Sequence, residues 1–206
     1  MSDLATSRRS WHGVAELLLA GPQYRESQTI RLRITRAGFA TVKEPDLRVE
    51  GMTLVIEGER VGMPGHTCAG LSVLTGAPAG GPAHLYKEGS GVDPDEALHF
   101  DDDAIAVLAG AFELGDASLR AFAPDQTPVL WPEHFDVGVS ADEVNYGISA
   151  GDGYLGEPYA YVAPWQRREG TFWNAPFGAA QLMAELSDVD AVLAFLTEGR
   201  DRAAGT

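Results

Sequence analysis

Residues 135–149 read FDVGVSADEVNYGIS and decide the fold that the sequence predicts. Apolar and polar residues alternate on both sides of Asp142-Glu143, which is the period of half-buried strands. A tight loop at this pair places residues of like polarity opposite each other: Asp136 with Ser149, Gly138 with Gly147, Ser140 with Asn145, Val137 with Ile148, and Val139 with Tyr146. Because a slip by one residue would destroy this match, we expect this register in an antiparallel hairpin. Asp-Glu is a poor type I′ turn, so a longer loop of the same parity is an equal alternative to the tight loop.

A third strand follows the hairpin at 158–165, where Pro158 and Pro164 bracket the run as prolines do at the end of a ladder. Alternation places Tyr159, Tyr161 and Trp165 on one face. Together with 135–149, this run predicts a short antiparallel meander with an aromatic side.

The remaining sequence predicts a second meander and several helices. Short alternating runs indicate strands at 29–35, 39–42, 47–49, 54–57 and 60–63, separated by turn glycines. Helices are expected at 10–20, where Gly21-Pro22 should stop the first one, and at 101–114, 116–122, 176–186 and 189–196. A strand across 14–19 is the alternative to the first helix. Residues 64–100 give no clear pattern.

We therefore predict an α+β fold with two antiparallel β-meanders, packed with several helices and ending in a C-terminal helix. At 206 residues the chain fits one domain. The alternative is two lobes, 10–75 and 83–200, with a hinge near 76–82, where the sequence reads GAPAGGP.

The composition restricts the partners that we expect. The formal net charge is −15, so nucleic acid and anionic membranes are disfavoured as partners. Cys68 is the one cysteine in the chain, so no intrachain disulfide can form, which fits a cytoplasmic protein. No stretch is long enough to span a bilayer, and the sequence identifies neither a cofactor nor a metal site.

The sequence contains no established catalytic motif, and Glu133-His134-Phe135-Asp136 is its best candidate for chemistry. If these residues are in a strand, His134 and Asp136 share a face. A carboxylate beside an imidazole fixes its tautomer and raises its basicity, as a general base requires, with Glu133 as a further polar group. The alternative interpretation is that this is the solvent face of an edge meander.

A cluster of aromatic and amide side chains makes up the predicted ligand-binding set. Its members are Asn145, Tyr146, Tyr159, Tyr161, Trp165, Trp173 and Asn174. Such residues can line a mostly apolar pocket with a few polar anchors. Aromatic residues at alternating positions are, however, equally typical of a core.

The pattern also resembles a family of uncharacterised actinobacterial proteins with no assigned activity. The resemblance is carried by Trp11, the strands in 29–54, the segments 131–137 and 159–164, and the helix at 191–196. It covers about half of the chain and leaves out 64–128. It implies a fold and a bacterial origin, but no reaction and no catalytic residues.

Three functional hypotheses follow from these patterns. In the first, the protein binds a small organic ligand on the aromatic-lined sheet face. In the second, it is an enzyme with the His134/Asp136 pair as general base, with or without a metal. In the third, it is a homo-oligomeric interaction module that uses an exposed aromatic patch.

Overall fold

The computed structural model describes residues 3–82, 84–86 and 89–205, and it confirms the α+β fold. The described residues form five α-helices: α1 (Asp3–Gly13), α2 (Gly21–Ser27), α3 (Cys68–Thr75), α4 (Asp102–Phe122) and α5 (Val189–Ala204). They also form ten strands: β1 (Leu32–Thr35), β2 (Gly38–Thr41), β3 (Leu47–Glu50), β4 (Thr53–Ile56), β5 (Glu59–Gly62), β6 (Val129–Trp131), β7 (Asp136–Ala141), β8 (Val144–Ser149), β9 (Tyr159–Pro164) and β10 (Ala179–Leu182). A π-helix (Val14–Ala20) joins α1 to α2, and a 3₁₀-helix (Met183–Glu185) follows β10.

The chain divides into two compact units. The first unit comprises Met1–Gly110 and Leu130–Phe135, and the second comprises Ala111–Val129 and Asp136–Thr206. The GAPAGGP segment at 76–82 therefore lies within the first unit.

The first unit packs its N-terminal helices against an antiparallel sheet with the strand order β6-β1-β2-β3-β4-β5. This is the first predicted meander, with β6 added beside β1 through the Leu32–Leu130 pair. Trp11 is fully buried and makes an edge-to-face contact with Phe39, with 5.2 Å between ring centroids. Its indole N–H donates to the carbonyl of Gly51 at 2.9 Å, so the ring anchors α1 to the turn between β3 and β4.

The prediction that Gly21-Pro22 stops the N-terminal helix is wrong. Helical backbone runs from Asp3 through Ser27, and Pro22 lies in the first turn of α2. Just before it, the N–H of Gly21 donates to the carbonyl of Glu16, five residues back, in the wider π pattern. Pro22 has no N–H to donate. In the first turn of a helix this N–H would have no partner within the helix in any case, so the proline does not end the helical backbone.

The second unit contains the predicted hairpin, and all five predicted pairings from Asp136–Ser149 to Ser140–Asn145 are confirmed. Its antiparallel strands lie in the order β10-β9-β8-β7. Two helical glycines let helices approach the apolar face closely. A Cβ at Gly115 of α4 would lie 2.7 Å from Ile148, and one at Gly199 of α5 would lie 2.5 Å from Val162.

Two helix predictions in this unit are wrong. The predicted helix at 176–186 is replaced by a turn at 176–177, then β10 and the 3₁₀-helix, because Ala179–Leu182 pair with β9 and tertiary pairing outweighs local helix propensity. Asp116 caps no separate helix, because α4 is continuous at this residue. The carboxylate of Asp116 accepts a hydrogen bond from Arg120, one turn later, at 2.7 Å. The C-terminal helix is confirmed, and Asp188 caps it by accepting from the N–H of Ala191 at 2.9 Å.

Candidate functional site

The polar face of the predicted hairpin also carries the tyrosines of β9. In the sheet register, Tyr159 is the partner of Ser149, and Tyr161 is the partner of Gly147. Partners in an antiparallel ladder point to the same face, so both tyrosines share the face of Asp136.

Tyr161 fills the space that Gly138 and Gly147 leave in the sheet. Its hydroxyl donates to the carboxylate of Asp136, and a Cβ at Gly147 would lie 2.5 Å from the phenol oxygen. Burial, the negative charge of Asp136 and this hydrogen bond raise the pKa of Tyr161 well above its usual value. The space beside the two glycines, which have no side chain, is therefore occupied by a side chain of the protein itself.

Tyr159 forms a second phenol–carboxylate pair, with Asp152 in the loop between β8 and β9. The hydroxyl of Tyr159 donates to Asp152 at 2.6 Å, while the other carboxylate oxygen accepts the N–H of Tyr154 at 2.7 Å. Burial, followed by the hydrogen bond to Asp152, raises the pKa of Tyr159. Asp152 thus holds its loop and a sheet tyrosine together.

Phe177 packs against the tyrosines of this face. Its ring centroid lies 5.4 Å from Tyr154, 6.1 Å from Tyr159 and 6.4 Å from Tyr161. The tyrosine face is therefore occupied by protein groups and forms a small packed layer above the sheet.

Tyr146 lies on the opposite face, in the core of the second unit. It is fully buried, and its ring centroid lies 4.6 Å from that of Phe122 in α4. Burial raises the pKa of Tyr146 to about 12. Of the two interpretations of the predicted aromatic set, the core interpretation fits this member.

Asn145 and Trp165 form a more open contact near the other end of the sheet. Trp165 is 66% exposed, and its indole N–H donates to the Oδ1 of Asn145 at 3.3 Å. The same oxygen accepts the hydroxyl of Ser140 at 2.7 Å. The two predicted ligand-binding residues are thus in contact with each other.

The strand that carries Asp136 begins at this residue, because Phe135 adopts a left-handed φ of 53°. His134 lies in the preceding turn with its side chain 61% exposed, and its Nε2 is 3.3 Å from the carboxylate of Glu133. The prediction that strand alternation sets His134 on the face of Asp136 is therefore wrong. The catalytic role of Glu133, His134 and Asp136 stays a prediction.

A surface cleft of about 630 Å³ lies in the second unit beside the outermost strand, β10. Its apolar lining consists of Phe172, Ala180, Leu186, Ala191, Ala194 and Phe195. Its polar lining consists of Thr171, Asn174, Gln181, Glu185 and Glu198. The volume lies in the range of small-molecule sites, while the lining is more polar than is usual for them.

Contacts around Phe172 shape one wall of this cleft. Its ring lies 5.6 Å from Phe195 and 5.0 Å from Trp173, centroid to centroid. The guanidinium of Arg202 lies 5.2 Å from the Phe172 centroid and forms an ion pair of 2.7 Å with Glu198. Among the lining carboxylates, Glu198 is therefore charge-compensated by a neighbour.

Asn174 is the predicted ligand-binding residue that lines this cleft. Its Nδ2 donates to the carbonyl of Ala180 at 3.0 Å, and its Oδ1 accepts the N–H of Ala180 at 2.9 Å. The side chain thus bonds both backbone groups of one residue of β10.

The sequence reasoning missed a buried polar cluster in the first unit, around the π-helix. Glu16 is 8% exposed and accepts the N–H and the hydroxyl of Ser90 at 2.8 Å and 2.6 Å. Burial lowers the pKa of His12, whose Nε2 lies 2.6 Å from the carbonyl oxygen of Pro132 and whose ring stacks on Phe135. The available signal was a single carboxylate in the otherwise apolar run from Val14 to Ala20.

Comparison of the chain with protein-family models, with curated proteins and with solved structures found no match. The resemblance to actinobacterial proteins therefore stays a prediction. No helix within 3–82, 84–86 and 89–205 combines the length and apolar character needed to cross a membrane. Over the same residues, no three His, Cys, Asp or Glu side chains are grouped as metal ligands would be.

Proposed function

We propose that this protein binds a small organic ligand with a positive charge in the cleft beside β10. The observation that carries the proposal is the cleft itself: about 630 Å³, with aromatic walls at Phe172 and Phe195 and carboxylates at Glu185 and Glu198. An aromatic wall with an adjacent carboxylate favours a cationic group over an anionic one.

The charge of the chain supports the same ligand class. The formal net charge of −15 creates a field that attracts cations and repels anions. Because Arg202 compensates Glu198, Glu185 is the carboxylate assigned to the ligand. The tyrosine face is a weaker candidate, since Phe177 packs on Tyr159 and Tyr161 and their hydroxyls bond carboxylates.

Calorimetric titration with two aromatic ligands of similar size and opposite charge tests this proposal. Phenethylamine is expected to bind, and phenylpropionate is expected to bind more weakly or not at all. Glu185→Gln should weaken amine binding about two- to fivefold, as expected for an exposed ion pair.

Glu157→Gln is the matched control, because Glu157 is an exposed acid in the loop before β9. This variant should bind the amine as the unaltered protein does. Equal binding of amine and acid, or no binding of either, would contradict the proposal.

The second candidate is an enzyme in which His134 acts as general base. It is supported by the exposed imidazole and by the Glu133 carboxylate 3.3 Å from its Nε2, an arrangement that can fix the tautomer. Hydrolysis of a panel of chromogenic esters and phosphoesters measures the activity. His134→Ala should then abolish turnover and leave thermal unfolding unchanged, and unchanged turnover would remove this candidate.

A further inference from the structure

The outward side of β10 is covered by a short segment of the same chain. The N–H of Ala175 donates to the carbonyl of Gly178 at 2.9 Å, and the N–H of Gly178 donates to the carbonyl of Ala175 at 3.1 Å. Two residues after Gly178, in β10, the side-chain amide of Asn174 bonds both backbone groups of Ala180. Residues 174–175 thus form one arm of a tight turn at 176–177 that leads into β10, and the Asn174 side chain occupies the strand edge at Ala180.

The Asn174 contact has the chemistry of strand pairing. In an antiparallel pair, a hydrogen-bonded residue exchanges one N–H donor and one carbonyl acceptor with its partner. A primary amide offers the same donor and acceptor, and Asn174 uses both at 2.9–3.0 Å. The edge of β10 is therefore shaped to receive a peptide group at Ala180.

The cleft continues from this edge and is acidic. Ala180 and Gln181 of β10 line it together with Glu185 and Glu198, of which Glu198 is paired with Arg202. An extended segment placed along β10 would set alternate side chains towards this wall, where a basic side chain would be complementary to Glu185.

We propose that the ligand of this cleft is a short extended peptide with a basic side chain, added as a strand along β10. Its backbone amide takes the place of the Asn174 amide at Ala180, and its basic side chain pairs with Glu185. This inference rests on the proposed function and names the ligand class of the same cleft.

Fluorescence polarisation with a labelled, acetylated peptide of sequence Ala-Val-Lys-Val-Ala amide tests the inference on the unaltered protein. Binding should weaken at least tenfold when the Lys is replaced by Glu. A scan of singly N-methylated peptides should give an alternating pattern, because strand addition uses every second N–H. A uniform response to N-methylation would overturn strand addition.

Asn174→Ala distinguishes two roles of the Asn174 side chain. It either occupies the strand edge in competition with the peptide or contacts the bound peptide directly. Because the peptide no longer competes with the Asn174 amide, it should bind this variant several-fold more tightly. Weaker binding, in a variant whose thermal unfolding is unchanged, would overturn the inference. If the variant is unstable, the N-methylation scan on the unaltered protein decides.

The outcomes distinguish this inference from the proposed function. If phenethylamine binds in a Glu185-dependent manner and the peptide does not, the inference fails and the proposed function stands. If neither binds, both fail. If light scattering shows that Asn174→Ala dimerises without peptide, the edge accepts a second copy of the chain and the inference fails.

Discussion

The hydroxyl of Tyr161 donates a hydrogen bond to the carboxylate of Asp136 across the glycine pair of β7 and β8. Asp136 is only 9% exposed, so the bond satisfies a carboxylate that has little access to water. Such a pair stabilises the fold mainly because the loss of one partner leaves the other buried and poorly solvated.

Tyr161→Phe should therefore lower the free energy of unfolding by about 1–3 kcal/mol. The substitution removes the donor and keeps the ring that packs on Phe177. Urea denaturation followed by circular dichroism measures the change. Tyr154→Phe is the control, since Tyr154 is 46% exposed and its hydroxyl donates a longer bond of 3.2 Å; an equal loss in the control would contradict the prediction.

Alkaline pH should destabilise the protein through its tyrosines. Burial is the largest cause that raises the pKa of Tyr86, Tyr146, Tyr159 and Tyr161. In the unfolded chain these phenols ionise near pH 10, while in the fold they keep their protons. Stability is therefore complete below about pH 10 and decreases as pH rises above it, by up to about 1.4 kcal/mol per pH unit for each such group.

Phenolate absorbance near 295 nm checks this expectation. At pH 11 the folded protein should show fewer than the six phenolates of the sequence, and urea should release the remainder. Full ionisation without unfolding would show that these phenols are not protected.

Two helical glycines should respond to alanine in opposite directions. A Cβ at Gly199 would lie 2.5 Å from Val162, whereas one at Gly110 would meet no atom within 4 Å. Alanine gains about 1 kcal/mol of helix propensity at either position. At Gly199 this gain is outweighed by overpacking, which costs about 1–3 kcal/mol, so Gly110→Ala should raise the melting temperature and Gly199→Ala should lower it. Similar shifts for both variants in differential scanning calorimetry would contradict the close packing of α5.

Acid should destabilise the first unit through His12. Burial lowers the pKa of this imidazole, so the fold prefers its neutral form, which can donate to the carbonyl of Pro132. The unfolded chain binds a proton near pH 6.5. The contribution of His12 is therefore complete above that pH and is lost as pH falls through its lower folded value.

Histidine NMR titration measures this shift directly, with the His12 signals assigned through a His12→Gln variant. The His12 resonances should titrate with a midpoint below pH 6.5. A normal midpoint near pH 6.5 would show that the ring is solvated.

The predicted register of 136–141 with 144–149 is the observed one, and the argument for it was that a slip by one residue would mix the apolar and polar faces. The sequence prediction failed where tertiary contacts override local pattern. Residues 179–182 have no strand signal and pair only because β9 is beside them, and the left-handed Phe135 ends the alternation one residue before Asp136.

The site was harder to predict than the fold. The alternation of side chains predicted which residues form the polar face. It could not show that Phe177 would pack on the tyrosines or that Tyr161 would fill the space beside Gly138 and Gly147. The cleft beside β10 is lined by segments from 171 to 198, whose proximity depends on how α5 packs. Asn174 was identified as a polar anchor, but its contact with Ala180 required the strand that the sequence did not reveal.

The contact between His12 and Pro132 joins residues 120 positions apart in the chain. Since β6 also completes the sheet of the first unit, a ribosome must release the chain past Phe135 before this unit can close. Until then the buried face of the N-terminal helices has no complete cover. During synthesis this apolar face is therefore exposed to chaperones for a period. A unit formed from one continuous segment of the chain would not need this period.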